Sequence, residues 1–129
     1  MSKTAIQSPD GPKPVGPYSP GIRVGDFVFV SGQGAIDPKT GKFVGATDIK
    51  LQTGQVLQNI QTVLKGAGLT MESVAKTTVF LKKASDFQAM NEMYKTFFPE
   101  TPPARSTIVT DLLFPDMLIE IEAVAYAKS

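Results

Sequence analysis

The sequence predicts an α+β fold, in which one mainly antiparallel sheet carries two helices on one face. Segments with strand and helix patterns follow one another in the order ββ, α, β, α, ββ. Such interleaving is typical of a sheet whose helices are gathered on one side. The chain has 129 residues, which fits one domain over residues 1–129 and leaves no room for a second of ordinary size.

The first predicted hairpin follows a segment rich in proline. Residues 8–20 contain five prolines, too many missing N–H donors for a regular strand or helix, so we expect an ordered loop. Residues 22–30 are apolar on both sides of Gly25-Asp26, and this glycine can take the positive φ of a tight turn. A turn there would bring Tyr18 beside Gln33 and near Gly32.

A helix and a strand follow. Residues 48–67 carry apolar side chains at helical spacing, with Asp48 as a candidate N-cap and Gly68 as a candidate left-handed stop. Val74–Leu81 is rich in threonine, β-branched and aromatic residues, so it is predicted to be a buried strand.

The second helix is predicted to open at a capping box, Ser85 to Gln88, and to end before Pro99. Two final strands, residues 105–112 and 117–126, flank a turn and are predicted to pair with each other in antiparallel fashion. With both helices on one side, the other sheet face needs a cover. In so short a chain that cover is expected to be another copy, which predicts a homo-oligomer.

The composition excludes several classes of chemistry. Cysteine, histidine and tryptophan are absent, which excludes disulfides, thiolate catalysis, thiolate or imidazole metal sites and any triad with a histidine base. The formal net charge is +1, so neither nucleic acid nor a membrane surface is an expected partner. Without an apolar segment of signal-peptide or membrane-spanning length, the sequence predicts a soluble cytoplasmic protein.

Five polar residues are candidates for a functional role, each with a plainer interpretation. Glu120 and Glu122 share one face of the last strand, and a solvated face is the commoner explanation. Arg105 follows a stiff proline segment but could be a surface cation. Asn91 lies at the margin of an apolar helical stripe, where a buried amide needs partners. Tyr18 could serve packing or recognition.

Six short segments, taken together, form a specific pattern. They are Gly16-Pro17-Tyr18-Ser19, Val30-Ser31-Gly32-Gln33, Val74–Leu81, Asp86-Phe87 with Asn91 and Tyr94, Pro103-Ala104-Arg105-Ser106, and Ile119-Glu120-Ile121-Glu122-Ala123. In order and spacing, across nearly the whole chain, these segments resemble the RidA (YjgF) family of reactive imine and enamine deaminases.

The resemblance implies a chorismate-mutase-like α+β sandwich, a homotrimer with three clefts between subunits, no cofactor and no metal. It also implies a reaction on 2-iminobutanoate and 2-iminopropanoate, which are products of pyridoxal-phosphate enzymes. Water adds to the C=N carbon, and ammonia leaves to give a 2-oxo acid.

The resemblance also implies roles for individual residues. Arg105 would hold the substrate carboxylate, and a planar guanidinium suits this task through two charge-assisted hydrogen bonds. Glu120 would orient the attacking water and relay protons. The cleft would be lined by Tyr18, Ser31, Gly32 and Asn91, with the backbone of Thr107 facing the substrate.

Two departures from the family pattern bear on the substrate range. Thr107 stands where cysteine is common, and Asp111 where a small or basic residue is usual. Pairing of the last two strands would set Asp111 opposite Glu120, where its carboxylate could raise the pKa of Glu120 or simply point away. Two other hypotheses stay open: a small-carboxylate-binding or chaperone-like stress module, and an endoribonuclease or translation inhibitor, which the near-zero charge disfavours.

Overall fold

The computed structural model describes residues 2–127 and contains ten strand and α-helix elements in that range. In chain order they are β1 (Thr4–Ala5), β2 (Gly21–Val24), β3 (Phe27–Gln33), β4 (Ile36–Asp37), β5 (Lys42–Phe43), α1 (Ile49–Gly66), β6 (Val74–Leu81), α2 (Phe87–Phe97), β7 (Ala104–Val109) and β8 (Ile119–Tyr126). Short 3₁₀ turns at Met71–Ser73 and Ala84–Asp86 precede β6 and α2, respectively.

Six strands form the main sheet, in the order β1-β2-β3-β8-β6-β7. Every neighbouring pair is antiparallel except β6 and β7, which run parallel. The two helices pack on one face of this sheet, so the predicted α+β architecture is confirmed. The other face, called the open face below, has no helix over it among the described residues.

The core lies between the sheet and α1. Alternate residues of β3, β6 and β8 face the helices, because successive side chains in a strand point to opposite sides. Helix α1 contributes a stripe at a spacing of three and four residues. Burial of each such side chain stabilises the fold by about 1.5–3 kcal/mol. The fully buried members of this layer are Val28, Val56, Leu57, Ile60, Val63, Leu64, Val79, Leu81, Ile119 and Ile121.

The ends of α1 are those that the sequence predicts. The Oδ1 of Asp48 accepts a hydrogen bond from the Leu51 N–H at 3.1 Å, and Gly68 follows the helix with a φ of +74°. Helix α2 begins differently, because a 3₁₀ turn leads into it and no side chain caps it. The predicted capping box is therefore wrong. No helix within residues 2–127 combines the length and hydropathy needed to cross a bilayer.

The first hairpin also has its predicted register. Gly21 faces Val30 across the β2–β3 pair, and Gly25 in the turn has a φ of +58°. The hairpin therefore brings the proline-rich loop and the end of β3 together, as its turn position predicts.

The predicted pairing of the last two strands is wrong. Strand β7 pairs in parallel with β6, and β8 lies between β3 and β6. The reason is the position of α2 between β6 and β7, because a crossover helix returns the chain to the starting end of the sheet and makes the next strand parallel. Glu120 therefore faces Phe80, and Asp111, which lies outside any strand, does not face it.

Two buried amides of α1 fix the connections that lead to the sheet. Gln52 accepts a hydrogen bond from the Leu118 N–H at 2.8 Å and donates to the carbonyl of Asp116 at 2.7 Å. Asn59 donates to the carbonyls of Gly34 and Ile36. Gln52 thereby holds Leu118, the residue directly before β8 and two residues before Glu120.

Candidate functional site

The register of the sheet separates the two most important candidates. Arg105 pairs with Thr77 of β6, whereas Glu120 pairs with Phe80. Thr77 faces the helices, since its hydroxyl contacts a tyrosine of α2, and Phe80, three residues later, faces the opposite side. Arg105 and Glu120 of one chain therefore lie on opposite faces of the sheet.

The Arg105 side chain packs against aromatic and sulfur-containing side chains of α2. Its guanidinium carbon is 4.8 Å from the ring centre of Tyr94 and 5.6 Å from that of Phe87. One of its nitrogens is 3.9 Å from the sulfur of Met90, a weak acceptor. No carboxylate in residues 2–127 forms an ion pair with this guanidinium. Within residues 2–127 the guanidinium is therefore held in place without occupying its N–H donors in an ion pair.

Tyr94 is in turn tied to the sheet. Its hydroxyl and the Thr77 hydroxyl are 2.7 Å apart, and the tyrosine side chain is almost fully buried. Burial raises the pKa of Tyr94, while the hydrogen bond with Thr77 and the charge of Arg105 oppose that rise. The phenol is therefore neutral near pH 7.

Asn91 lies on the same side as Arg105. A groove of about 300 Å³ runs between α2 and the segment before β7. Among residues 2–127, the Oδ1 of Asn91 has no hydrogen-bond partner although it is buried. Such a state costs about 1–3 kcal/mol. The groove is lined by Asn91, Tyr94, Lys95, Phe98, Pro102, Pro103 and Arg105.

Thr107 is half-buried and lies two residues after Arg105, so both side chains point to the helix face. The N–H of Thr110 donates to the carbonyl of Leu81 in β6. Because backbone groups of a strand alternate in direction, those of Thr107 point the other way, to the outer edge of the sheet. Strand β7 is the last strand in the sheet order.

Glu120 lies on the open face against a glycine of β3. A methyl group added to Gly32 would collide with the Glu120 carboxylate. The close approach occurs at a bulge, since the register between β3 and β8 shifts between Val30 and Gln33. Burial raises the pKa of Glu120, and the charge of Glu122 raises it further. The strand pairing predicted from the sequence would have let Asp111 raise this pKa or point away, and Asp111 is not among the causes of the rise.

Tyr18 and Ser31 lie near Gly32. Tyr18 lines a small cavity together with Gly32 and Gln33, as the hairpin register predicts. Its hydroxyl accepts a hydrogen bond from the Val15 N–H at 3.2 Å, and its side chain is 46% exposed. The hydroxyl of Ser31 donates to the carbonyl of Ser19 at 2.6 Å, which fixes the loop that carries Tyr18.

The sequence-predicted residues thus form two groups. The arginine group comprises Arg105, Asn91 and Thr107 on the helix side of the sheet. The glutamate group comprises Glu120, Gly32, Ser31 and Tyr18 on the open side. One group offers donors for an anion, and the other offers a carboxylate with a raised pKa. Within one chain the sheet lies between them.

Sequence reasoning missed what supports Arg105. Phe87, Met90 and Tyr94 recur at helical spacing, a pattern that by itself indicates only the apolar stripe of a helix. One signal was available. Arg105 is on the strand that follows this helix, and the helix of a β–α–β crossover packs over both of its strands, so the arginine could be expected to meet the helix.

Comparison with known proteins gives a family match over residues 8–127, to the family described as Endoribonuclease L-PSP. A RutC family protein of Pyrococcus horikoshii is 50% identical over 126 residues, which cover 98% of this chain and 99% of that protein. A 2-iminobutanoate/2-iminopropanoate deaminase of Salmonella typhimurium is 43% identical, with 99% of this chain and 100% of that enzyme covered.

Solved structures agree with these matches. The crystal structure of Escherichia coli TdcF with bound serine aligns with a TM-score of 0.91 at 35% identity. The alignment covers 97% of this chain and 99% of TdcF. The likeness therefore extends over the whole sheet and both helices.

Proposed function

The chain belongs to the Endoribonuclease L-PSP family, which is the RidA (YjgF) family, and on this premise we propose that it hydrolyses small 2-imino acids to 2-oxo acids and ammonia. The observation that carries the proposal is the environment of Arg105. A guanidinium with free donors, held on aromatic rings and not on a carboxylate, is suited to bind the carboxylate of a ligand.

Glu120 is the proposed general base. Its raised pKa makes it a stronger base than an ordinary surface carboxylate. It takes one proton from water as the oxygen bonds to the imine carbon, and the C=N π electrons move to nitrogen. With a protonated imine this gives a neutral carbinolamine, whose amine takes the proton back from Glu120. The C–N bond then breaks as a hydroxyl lone pair forms the C=O bond, Glu120 accepts the hydroxyl proton, and ammonia and a 2-oxo acid are released.

The proposed site takes its two groups from two copies of the chain. Arg105 and Glu120 lie on opposite faces of one sheet, so a neighbour must bring its glutamate group to the arginine group. The open face supports such an assembly, because it exposes four large apolar side chains, each between 42% and 47%. They are Phe27, Phe29, Ile108 and Tyr126. We propose the homotrimer with clefts between subunits that the family resemblance implies.

A small substrate is favoured by two relatives. The Salmonella typhimurium relative is named for 2-iminobutanoate and 2-iminopropanoate, and Escherichia coli TdcF was solved with bound serine. These ligands share a carboxylate beside a carbon that bears nitrogen, and each has a short side chain. We therefore propose 2-iminobutanoate and 2-iminopropanoate as substrates.

The test is to generate 2-iminopropanoate from alanine with an amino-acid oxidase and to follow its disappearance with and without the protein. We expect wild type to accelerate the decay and Arg105→Ala to abolish the acceleration. Absence of acceleration by wild type, or full acceleration by Arg105→Ala, would contradict the proposal. Pyruvate binding without turnover would instead favour a carboxylate-binding module, and RNA cleavage by highly purified protein would favour the ribonuclease hypothesis.

A further inference from the structure

Arg105 is oriented by contacts that leave its donors available. Arginine loses much side-chain freedom when it is fixed, and a flexible arginine on an edge strand would bind an anion more weakly for that reason. An ion pair would fix the side chain but would occupy its N–H groups. Stacking on an aromatic ring fixes the guanidinium through its face and leaves the N–H groups at its edge free.

Of the two rings beneath the guanidinium, that of Tyr94 is the better anchored. Phe87 is 39% exposed, whereas Tyr94 is 5% exposed. The Tyr94 hydroxyl is bonded to Thr77, and Thr77 is the residue of β6 that pairs with Arg105 in β7. The ring is therefore tied to the strand position next to the arginine that it supports.

We infer that Tyr94 is a positioning residue for this site: its ring, anchored through Thr77, holds the Arg105 guanidinium where it meets the substrate carboxylate. The inference rests on the proposed function and deepens it, since it assigns a role to a residue that has no contact with the proposed reacting atoms. It also assigns a role to the buried hydroxyl pair, which links α2 to β6.

The test measures pyruvate binding to the full-length, assembled protein by calorimetry, together with kcat and KM for imine hydrolysis. Tyr94→Leu removes the ring and is expected to weaken pyruvate binding between about 2-fold and 30-fold, the range of a cation–π contact. KM should rise by a larger factor than kcat falls, because the loss affects carboxylate binding in the ground state as well as in the transition state.

A double-mutant cycle tests the anchor and keeps the core nearly intact. Tyr94→Phe and Thr77→Val each remove one end of the same hydrogen bond, so each should weaken binding by about 2-fold to 5-fold. The double variant should bind pyruvate with about the affinity of whichever single variant binds it less tightly. If the fold-losses of affinity in the two single variants multiply in the double variant, the inference is wrong. This cycle tests the inference even if Tyr94→Leu does not fold.

Ile60→Val is the control for a general loss of stability. Ile60 is buried in α1, away from the arginine group, so this variant should lower the melting temperature and leave the Kd for pyruvate unchanged. If Ile60→Val weakens binding as much as Tyr94→Leu, or if Tyr94→Leu binds like wild type while Arg105→Ala does not bind, the inference is wrong and the proposed function stands. If wild type itself fails to bind pyruvate, both are wrong.

Discussion

The two faces of the sheet hold their charged residues in different ways. On the helix face, Arg105 lies on the rings of Tyr94 and Phe87. On the open face, Glu120 lies against the backbone of Gly32 and near a second carboxylate, Glu122. Apolar surface surrounds the cation, whereas backbone and like charge surround the carboxylate.

The difference explains why neither charge forms an ion pair within residues 2–127. In residues 2–127 the one ion pair, Lys50 with Glu92, lies on the helices and involves neither residue. An Arg105–Glu120 pair inside one chain would occupy the donors that we propose bind the substrate and would lower the pKa of the proposed base. Opposite faces prevent this pairing and allow the two groups to meet only across an interface.

The largest effect that would sharpen this comparison is expected from Glu120→Gln. The amide has the same shape as the carboxylate but cannot accept the proton of water, so kcat should fall by about 10²–10⁴. Pyruvate binding, which depends on Arg105, should change little. Calorimetry together with imine hydrolysis checks both points, and loss of pyruvate binding in this variant would break the division of roles between the faces.

A smaller effect is expected from Gly32→Ala. The added methyl group must displace the Glu120 carboxylate, which is the flexible end of a side chain, so the fold should be retained while kcat falls about tenfold through misplacement of the base. Gly54→Ala is a suitable control, because its new methyl group would lie 3.6 Å from Met93, an ordinary contact. Equal kcat values for wild type and Gly32→Ala would show that the close approach has no role.

The smallest effect concerns pH and comes from Glu122→Gln. The base must be ionised, so kcat/KM should rise with pH through the pKa of Glu120, which burial and, secondarily, Glu122 raise above 4.5. Removal of the Glu122 charge lowers that pKa, so the acid limb should move to lower pH. Glu92→Gln, which changes the net charge equally at a distant exposed site, should leave the limb in place. If the acid limb of the kcat/KM profile stays at the same pH or moves to higher pH in Glu122→Gln, this account of the open face is wrong.

Local patterns predicted most of the elements. Val74–Leu81 is a strand with its predicted bounds, and α1 has its predicted N-cap, because alternation, helical periodicity and capping depend on neighbours in sequence. The partner of β8 depends instead on which strands the chain places side by side, and the last two strands do not pair as predicted.

The residues of the candidate site were predicted one by one, but their grouping was not. Gly32 and Tyr18 follow from the hairpin register. To predict that Arg105 and Glu120 lie on opposite faces, one must know the β6–β7 register. To predict that Tyr94 supports Arg105, one must know where α2 lies over the sheet. Both are long-range relations that spacing in the sequence does not contain.

The most direct test of the two-copy site uses two variants that are each expected to lose most or all activity, Arg105→Ala and Glu120→Gln. Coexpressed with different tags and purified as mixed assemblies, they should regain imine hydrolysis, because some clefts then combine an intact arginine from one copy with an intact glutamate from another. In a trimer that contains both variants, about one cleft in three should be intact. Activity no higher than that of either variant alone would contradict a site shared between copies.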